Sequence, residues 1–303
     1  MNEAIPQRID GDAAAALIEP LTGLVIRAGA AILTVNRSAM KVDGKIDGSP
    51  VTEADLAADR IIADGLAWLA PNIPSLSEER VQLAKLPCED SFFLIDPLDG
   101  TKEFVAGRDE FTVNLALVTG GVPLLGIVSA PALGLIWRGI VGRGAERLTL
   151  SGGAPRVEPI RTRPARRAES PGQSRSAARM ATTSTEAFIA QRPGAVRCEL
   201  GSAVKFGRVA EGLVDIYPRL SPTCEWDVAA GHAVVTAAGG KVTDSNGRQL
   251  AFRRRARRLH RCRNSSPGVI PQRCHLELRS ATTRYHLSVG RGRRKRRVKT
   301  VPR

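Results

Sequence analysis

Residues 91–104 read SFFLIDPLDGTKEF, and the interpretation of the whole chain starts from this stretch. The apolar run at 92–95 lies between polar residues, which predicts a short buried strand. Pro97 has no amide hydrogen to donate, so we expect the strand ladder to stop there. The strand then delivers two carboxylates, those of Asp96 and Asp99, at its C-terminal end.

The turn that follows this strand suits an anion. Gly100 permits a tight turn, and Thr101 stands where a helix can begin with unpaired backbone amides. Two carboxylates beside such a turn are what a magnesium-assisted phosphate hydrolase needs. The pattern Asp-x-x-Asp-Gly alone fits an ordinary strand-to-helix turn equally well, and both interpretations stay open at this point.

Size and composition predict a cytoplasmic globular protein. The 303 residues suffice for one large domain or two medium ones. No run of 18 uncharged apolar residues is present and the N-terminus lacks a signal-peptide pattern, so no transmembrane segment is expected. The cysteines are odd in number and form no CxxC pair, which argues against a disulfide framework or a structural zinc site. They are Cys88, Cys198, Cys224, Cys262 and Cys274.

The charge is distributed very unevenly. Residues 253–303 hold 18 Lys and Arg against one acidic residue, Glu277, whereas the preceding residues hold 27 against 29. The net charge of +15 therefore resides in the tail, and the body is nearly neutral. Such a tail would bind phosphate backbones or anionic lipid surfaces electrostatically.

Helices and hairpins alternate in the first half of the chain. The apolar period predicts a helix over 12–37 that begins at Asp10 or Asp12, and the polar segment 41–50 predicts a loop or hairpin. Apolar runs at 111–118 and 124–130, joined by Gly120-Gly121, predict a hairpin, with another strand at 135–141. Helices alternating with such strands predict stacked layers of helix and sheet.

A second helix is predicted from residue 52 to about 69. Thr52 is placed to cap it and Asp55 lies in its first turn, which a purely structural capping role would explain. Residues 74–79 read PSLSEE, which taken alone is a solvated turn.

The second half is less regular. Residues 151–181 are rich in Arg, Pro, Ser and Ala and show little periodicity. A helix is predicted at 203–213, a strand at 215–219, and a helix from Trp226 to Gly239, with Asp227 in its first turn, where a carboxylate favours the helix dipole. No element is predicted beyond residue 252.

Four blocks of the chain, taken together and in the order in which they occur, resemble the inositol monophosphatase superfamily of lithium-sensitive, magnesium-dependent phosphatases. Three further segments resemble its branch that hydrolyses 3′(2′),5′-bisphosphate nucleotides. The resemblance covers roughly residues 10–250 and is weak near 151–181. The blocks are VTEAD at 51–55, SEE at 77–79, DPLDGT at 96–101 and EWDVAAG at 225–231; the branch segments are GTKEF at 100–104, GSAVKF at 201–206 and YPR at 217–219.

The resemblance implies an α/β fold, a five-layer α/β/α/β/α sandwich over residues 1–252, with the site between two sheet regions. It implies removal of the 3′-phosphate of 3′-phosphoadenosine 5′-phosphate, a step of sulfur metabolism, by a monomer or homodimer. Magnesium prefers hard oxygen ligands, and two ions can clamp the attacking and leaving oxygens of an in-line displacement.

The resemblance also assigns roles to residues. Two or three Mg²⁺ ions would be bound by Glu78, Asp96, Asp99, Asp227 and the carbonyl of Leu98. Asp55 and Thr101 would orient and activate the attacking water. The substrate would be held by Gly100, Thr101, Ser202, Lys205, Arg219 and Asp227, the two cations suiting a phosphate that is bound but not cleaved.

Two regions depart from the branch pattern. Ser174-Arg175-Ser176 is followed by Ala177 where the branch has His, and residues 166–173 do not read as a strand. Residues 253–303 match nothing expected, and we predict that this basic segment is disordered. Their Arg-rich composition suggests a frameshift near residue 250, with a compensated pair within 165–180. Resequencing of the locus tests this hypothesis. A family-like ending in another reading frame would support it, and the absence of such an ending would contradict it.

Alternative functions remain. Within the superfamily they are inositol monophosphatase and fructose-1,6-bisphosphatase activity. Outside it, the tail would bind nucleic acid non-specifically, although its single aromatic residue, Tyr285, leaves little for base stacking, so no specific nucleic-acid partner is expected. A damaged, inactive phosphatase is the last alternative. Peripheral contact with the inner membrane through the basic tail also stays open.

Overall fold

The computed structural model describes residues 8–40, 42–44, 50–83, 90–163, 174–177, 188–190, 195–219, 223–244, 247–252, 269–270 and 276–279. The main helices are α1 (Gly11–Thr34), α2 (Glu53–Leu69), α3 (Thr101–Val105), α4 (188–190), α5 (Val204–Ala210) and α6 (Glu225–Ala237). The strands are β1 (Val42–Gly44), β2 (Pro50–Thr52), β3 (Ser75–Ser77), β4 (Ser91–Asp99), β5 (Thr112–Thr119), β6 (Val122–Ala130), β7 (Leu135–Ile140), β8 (Gly144–Thr149), β9 (Arg156–Ile160), β10 (Ser174–Ala177), β11 (Ala195–Cys198), β12 (Ile216–Arg219), β13 (Thr223–Cys224), β14 (Lys241–Thr243), β15 (Val269–Ile270) and β16 (Leu276–Arg279).

A seven-stranded sheet in the order β3-β4-β5-β6-β7-β8-β9 forms the centre of the molecule. β3 runs parallel to β4, and each later pair is antiparallel. The predicted hairpin is confirmed: β5 and β6 are joined by Gly120 and Gly121, whose φ angles of 57° and 78° fit the tight turn that right-handed strand twist favours.

The central strand β4 is longer than predicted. It continues through Pro97 to Asp99, so the prediction that Pro97 stops the ladder was wrong. The pairing with β5 shifts register between Asp96 and Asp99, and proline is tolerated at such an irregularity because no ladder donor is required there.

Both faces of β4 are buried, which explains its unbroken apolar run. Phe93 and Ile95 lie in one hydrophobic cluster with α1 and α2, whereas Phe92 and Leu94 lie in a second cluster with α5 and α6. The central sheet is therefore covered by a helix pair on each side.

Helix α1 begins where predicted, because the Asp10 side chain accepts hydrogen bonds from the amides of Asp12 and Ala13. Among the described helices, it alone is long and apolar enough to cross a membrane by length and composition. Its inner face is fully buried and packs on α2 and on the central sheet, as the helix of a protein core does. The buried positions include Leu21, Leu24, Val25, Ala28 and Ile32.

A second sheet, in the order β11-β10-β12-β16-β14, lies beyond α5 and α6. Tyr217 of β12 and Val242 of β14 belong to the same hydrophobic cluster as α5 and α6, which places these helices between the two sheets. The described helices and strands therefore form an α/β fold with four of the five layers predicted for the α/β/α/β/α sandwich, in the order helix pair, sheet, helix pair and sheet. The fifth, helical layer stays a prediction. The short helix α4 follows β10 in the chain.

Several elements were not predicted. β8 continues the central sheet, and β9 extends it at 156–160, within the segment 151–181 predicted to be irregular. Residues 174–177 are themselves a strand, parallel to β11 and β12, whereas 166–173 lie outside the described residues. β15 and β16 lie within 253–303, where no element was predicted; the rest of that segment lies outside the described residues.

Candidate active site

Asp55 lies in the first turn of α2 and is 1% exposed. Its Oδ2 accepts hydrogen bonds from the amide and hydroxyl of Thr52, at 2.8 and 2.6 Å, which completes a capping box. Its Oδ1 accepts from the hydroxyl of Thr101 at 3.1 Å. One carboxylate therefore both caps α2 and contacts the turn that begins α3, so the structural and functional interpretations of Asp55 coexist.

The end of β4 is fixed by its own polar groups. Asp96 is 1% exposed, and its Oδ1 accepts from the amide of Leu98 at 3.1 Å. The hydroxyl of Thr101 also lies 3.2 Å from the carbonyl of Leu98. Gly100 adopts φ 94°, a left-handed conformation, and thereby lets the chain turn directly into α3.

Asp99 and Asp227 meet between the central sheet and α6. Asp227 is held in the first turn of α6, where its Oδ2 accepts from the amide of Cys224 at 3.0 Å and from the hydroxyl of Thr223. Burial, and after it the negative charge of Asp227, raises the pKa of Asp99 to about 7, although Lys205 and Arg219 oppose the shift. Two half-buried carboxylates that line one cleft fit a divalent cation.

Glu78 begins a short 3₁₀ helix, Glu78–Leu83, directly after β3. This loop is tied to α2 by Asp59, which is 6% exposed and accepts from the hydroxyl of Ser77 at 2.5 Å. Asp59 also accepts from Nε of Arg80 at 2.9 Å. Asp59 follows Asp55 by one helical turn, so a single helix face fixes both the Thr101 turn and the Glu78 loop.

Two cations, Lys205 and Arg219, lie close enough to Asp99 for their charges to act on its carboxylate. Lys205 is 5% exposed and its amine stands 5.2 Å from the centre of the Tyr217 ring. Arg219 donates from Nη1 to the Tyr217 hydroxyl at 3.4 Å. The Tyr217 oxygen, followed by the carboxylates of Asp227 and Asp99, raises the pKa of Arg219, against the opposing effect of burial.

Ser202 has φ 34°, and it is the only described residue other than glycine with a positive φ. Its loop is held by Glu110, whose Oε2 accepts from the amide of Gly201 at 2.9 Å. The hydroxyl oxygen of Ser202 is buried and has no hydrogen-bond partner among the described residues. A strained residue with an unsatisfied hydroxyl is typical of a ligand-binding position.

The structure brings the predicted residues together in groups. Asp55 and Thr101 form one hydrogen-bonded pair, and four of the others line a single small cleft, namely Asp99, Ser202, Arg219 and Asp227. Within the described part of the chain, no three His, Cys, Asp or Glu side chains form a ready-made metal cluster. The acidic pair of the cleft thus fits a cation, while ligation by Glu78, Asp96 and Leu98 stays a prediction.

Sequence reasoning missed several residues of the site. Tyr217 and Thr223 contact predicted site residues but were not assigned roles, and Asp59 and Glu110 hold the two loops. The spacing of Asp59 from Asp55, one turn along a helix, was the one available signal. Glu110 lies 91 residues from Gly201 in sequence, so no local pattern could have found it. Tyr217 and Thr223 lie only two and four residues from the site residues that they contact, but their spacing alone assigns them no role.

A larger cavity of about 690 Å³ lies at the C-terminal end of α6, away from Asp227 in its first turn. Its buried cation, Arg138, is already paired with Glu19 and Glu146. None of the predicted site residues lines this cavity.

The model of the inositol monophosphatase family matches residues 14–280. The chain belongs to this family and is a phosphoric monoester hydrolase. The match extends past residue 252, where we had placed the end of the domain.

Comparison with individual proteins shows which members of the family this chain is similar to. The 3′(2′),5′-bisphosphate nucleotidase CysQ of Escherichia coli strain K12 is 38% identical over 246 residues, covering 78% of this chain and 94% of the relative. The enzyme of the same name from Shigella flexneri is 38% identical over 239 residues, with the same coverage. The crystal structure of CysQ from Bacteroides thetaiotaomicron, at 28% identity, superposes with a TM-score of 0.67 over 90% of this chain and 98% of that one.

Proposed function

We propose that this enzyme is a magnesium-dependent 3′(2′),5′-bisphosphate nucleotidase that converts 3′-phosphoadenosine 5′-phosphate to adenosine 5′-phosphate and phosphate. The observation that carries the proposal is the cleft in which Asp99 and Asp227 face Arg219, with Lys205 close by. One end of such a site suits a metal-bound scissile phosphate, and the other suits a phosphate that is bound but not cleaved. Relatives named for this activity align over most of their length.

Asp96, Asp99, Asp227, Glu78 and the Leu98 carbonyl would bind the magnesium ions. When bound, magnesium supplies charge stabilisation for the phosphoryl oxygens and lowers the pKa of water. Because its donors are oxygens alone, this residue set suits a hard cation.

The side chains of Thr101 and Asp55 would accept the proton that the attacking water loses. The Thr101 hydroxyl donates to Asp55 Oδ1, which leaves the Thr101 oxygen able to accept a hydrogen bond from the attacking water. As the water oxygen bonds to phosphorus and the bond to the ribose 3′ oxygen breaks, the water proton passes to Thr101 Oγ1, and the Thr101 proton passes to Asp55 Oδ1. The leaving ribose 3′ oxygen takes up a proton from solvent water and becomes the 3′-hydroxyl of the product, and Asp55 returns its proton to solvent before the next turnover. The hydrogen bonds from Thr52 hold the carboxylate in place for this transfer.

Phosphate release tests the proposal. The full chain is assayed on 3′-phosphoadenosine 5′-phosphate, inositol 1-phosphate and fructose 1,6-bisphosphate, with and without Mg²⁺, beside Asp96→Asn. We expect Mg²⁺-dependent, lithium-inhibited turnover that favours the nucleotide and is lost in the variant. Preference for the inositol or sugar ester would instead support the alternative activity within the family, and no turnover by a folded sample would support a disabled enzyme.

The proposal places the enzyme in the cytoplasm, as a monomer or homodimer without a specific nucleic-acid partner. The basic residues of 253–303 keep peripheral contact with anionic membranes open. Co-sedimentation with anionic vesicles at low and high salt, with and without this segment, separates the alternatives. Gel filtration with light scattering determines the oligomeric state.

A further inference from the structure

Tyr217 contacts both cations of the cleft. It lies on β12, two residues before Arg219, and is 4% exposed. Its ring meets Phe206 of α5 edge to face, with 5.4 Å between ring centres. One face of the ring is close to the Lys205 amine, and the hydroxyl accepts from Arg219. A rigid side chain thus sets where two flexible cationic side chains stand.

The positions of these two cations matter because Lys205 is buried and Arg219 is half-buried, so water replaces their lost contacts only in part. A cation over an aromatic ring is stabilised more strongly when it is removed from water than at an exposed site. The Lys205 amine also donates to the carbonyl of Leu200 at 3.3 Å. Nε of Arg219 is buried and has no hydrogen-bond partner among the described residues. An unsatisfied guanidinium nitrogen at the wall of a cleft is a donor available to an anionic ligand.

We propose that Tyr217 is a positioning residue that sets the preference for substrates carrying a second phosphate, by holding Lys205 and Arg219 at the spacing that phosphate requires. This inference rests on the proposed function. In this proposal Tyr217 acts through the cations that its hydroxyl and ring contact, Arg219 and Lys205. Removing it should therefore lower kcat/KM more for a substrate that carries the second phosphate than for the same ester without that phosphate.

A comparison of two nucleotide substrates isolates the recognition of the second phosphate. 3′-Phosphoadenosine 5′-phosphate and adenosine 3′-phosphate share the nucleoside and the bond to be broken, and only the first carries the 5′-phosphate. The ratio of their kcat/KM values measures recognition of the second phosphate. The variants are Tyr217→Leu, which loses both contacts, and Tyr217→Phe, which keeps the ring and loses the hydroxyl. Phe252→Leu is the control, since Phe252 is a 2% exposed ring of the same hydrophobic cluster that touches neither cation.

We expect Tyr217→Leu to lower this ratio by roughly 10-fold, mainly through the KM of the bisphosphate, because a buried cation–π contact is lost. Tyr217→Phe should lower it by roughly 3-fold, since its lost hydrogen bond is long. Phe252→Leu should leave the ratio unchanged. Thermal unfolding of each variant checks that it is folded, and Tyr217→Phe alone decides the matter if Tyr217→Leu does not fold.

Other outcomes are distinguishable. Equal loss of activity on both nucleotides would mean that Tyr217 only supports the fold, and an unchanged ratio in Tyr217→Phe and Tyr217→Leu would contradict the inference. A wild-type enzyme that does not discriminate between the two nucleotides would instead contradict the proposed function, whatever the variants do.

Discussion

At the scale of single residues, Asp55 shows why a motif can have two correct explanations. A Thr followed by an Asp three positions later is enough to predict a helix cap, and that cap is present. The second oxygen of the same carboxylate contacts Thr101, which lies 46 residues further along the chain. The cap fixes the orientation that the proton acceptor needs, so structure and function constrain the residue jointly.

Asp55→Asn separates the two roles. The amide oxygen still accepts the capping hydrogen bond but no longer takes up a proton, so we expect kcat to fall by about 100-fold or more. The free energy of unfolding should change by less than about 1 kcal/mol. Steady-state kinetics and urea unfolding measure the two effects. Glu53→Gln, which removes an exposed acid of the same helical turn, is the control and should leave kcat unchanged. A fully active Asp55→Asn would exclude this residue as the proton acceptor.

The burial of His232 leads to a prediction of how the free energy of unfolding depends on pH. It is buried against Phe252, and burial lowers its pKa from 6.5 to about 4. As the pH falls through this window, the unfolded chain takes up a proton that the folded chain does not, so the free energy of unfolding decreases. The full loss should be on the order of 3 kcal/mol. Because the raised pKa of Asp99 contributes a slope of opposite sign in this window, the wild-type protein is compared with His232→Leu, in which the Asp99 contribution is the same. In urea unfolding we expect the wild-type protein to lose stability relative to His232→Leu as the pH falls from 6.5 to 4. The same slope in both proteins would contradict the assignment to His232.

At the scale of elements, α2 and β4 position most of the predicted catalytic groups. β4 was recognisable from its apolar run, but its passage through Pro97 was not, because the register shift that tolerates proline depends on pairing with β5. The role of α2 was visible only in part. Asp55 belonged to a motif, whereas the buried bonds from Asp59 to Ser77 and Arg80 appear only once the Glu78 loop is folded against the helix.

Asp59→Ala tests whether α2 fixes the Glu78 loop. The substitution leaves Arg80 and Ser77 without their shared acceptor, so we expect a loss of about 2 kcal/mol in the free energy of unfolding, reduced from the fully buried case because Arg80 is 32% exposed. A higher Mg²⁺ concentration should also be needed for thermal stabilisation. Asp64→Ala, an exposed acid of the same helix, should change neither quantity. Equal effects of the two substitutions on the free energy of unfolding and on the Mg²⁺ requirement would contradict the role of Asp59 in fixing the Glu78 loop.

At the scale of the whole molecule, the layered fold was predictable, whereas two of its short strands were not. Periodicity identified the helices and the hairpin, and the motifs indicated where the layers meet. β9 and β16 were missed because the sequence around them is Arg-rich and weakly patterned. Such short strands are specified by the partners they join: β16 lies between β12 and β14, with four and three paired residues respectively. Ser202 and Tyr217 line one cleft with Asp99, which lies about 100 residues earlier in the chain, so the local sequence could not show that they meet.

The position of β16 predicts the effect of truncation. Ending the chain after Phe252 removes the strand between β12 and β14, which leaves two unpaired strand edges. We expect this shortened chain to be poorly soluble or to unfold at a clearly lower temperature. A chain ending after residue 280, where the family match also ends, should behave like the full protein. Equal solubility and unfolding temperature for all three chains would show that the tail strands contribute nothing to stability.

The central claim is that the cleft selects a bisphosphate nucleotide, and the most direct measurement is the ratio of Mg²⁺-dependent kcat/KM values for 3′-phosphoadenosine 5′-phosphate and inositol 1-phosphate. Charge-assisted hydrogen bonds to a second phosphate contribute about 1.5–3 kcal/mol each, so two cations predict a preference on the order of 100-fold or more for the nucleotide. Equal turnover of both substrates, or a preference for the inositol ester, would contradict the claim.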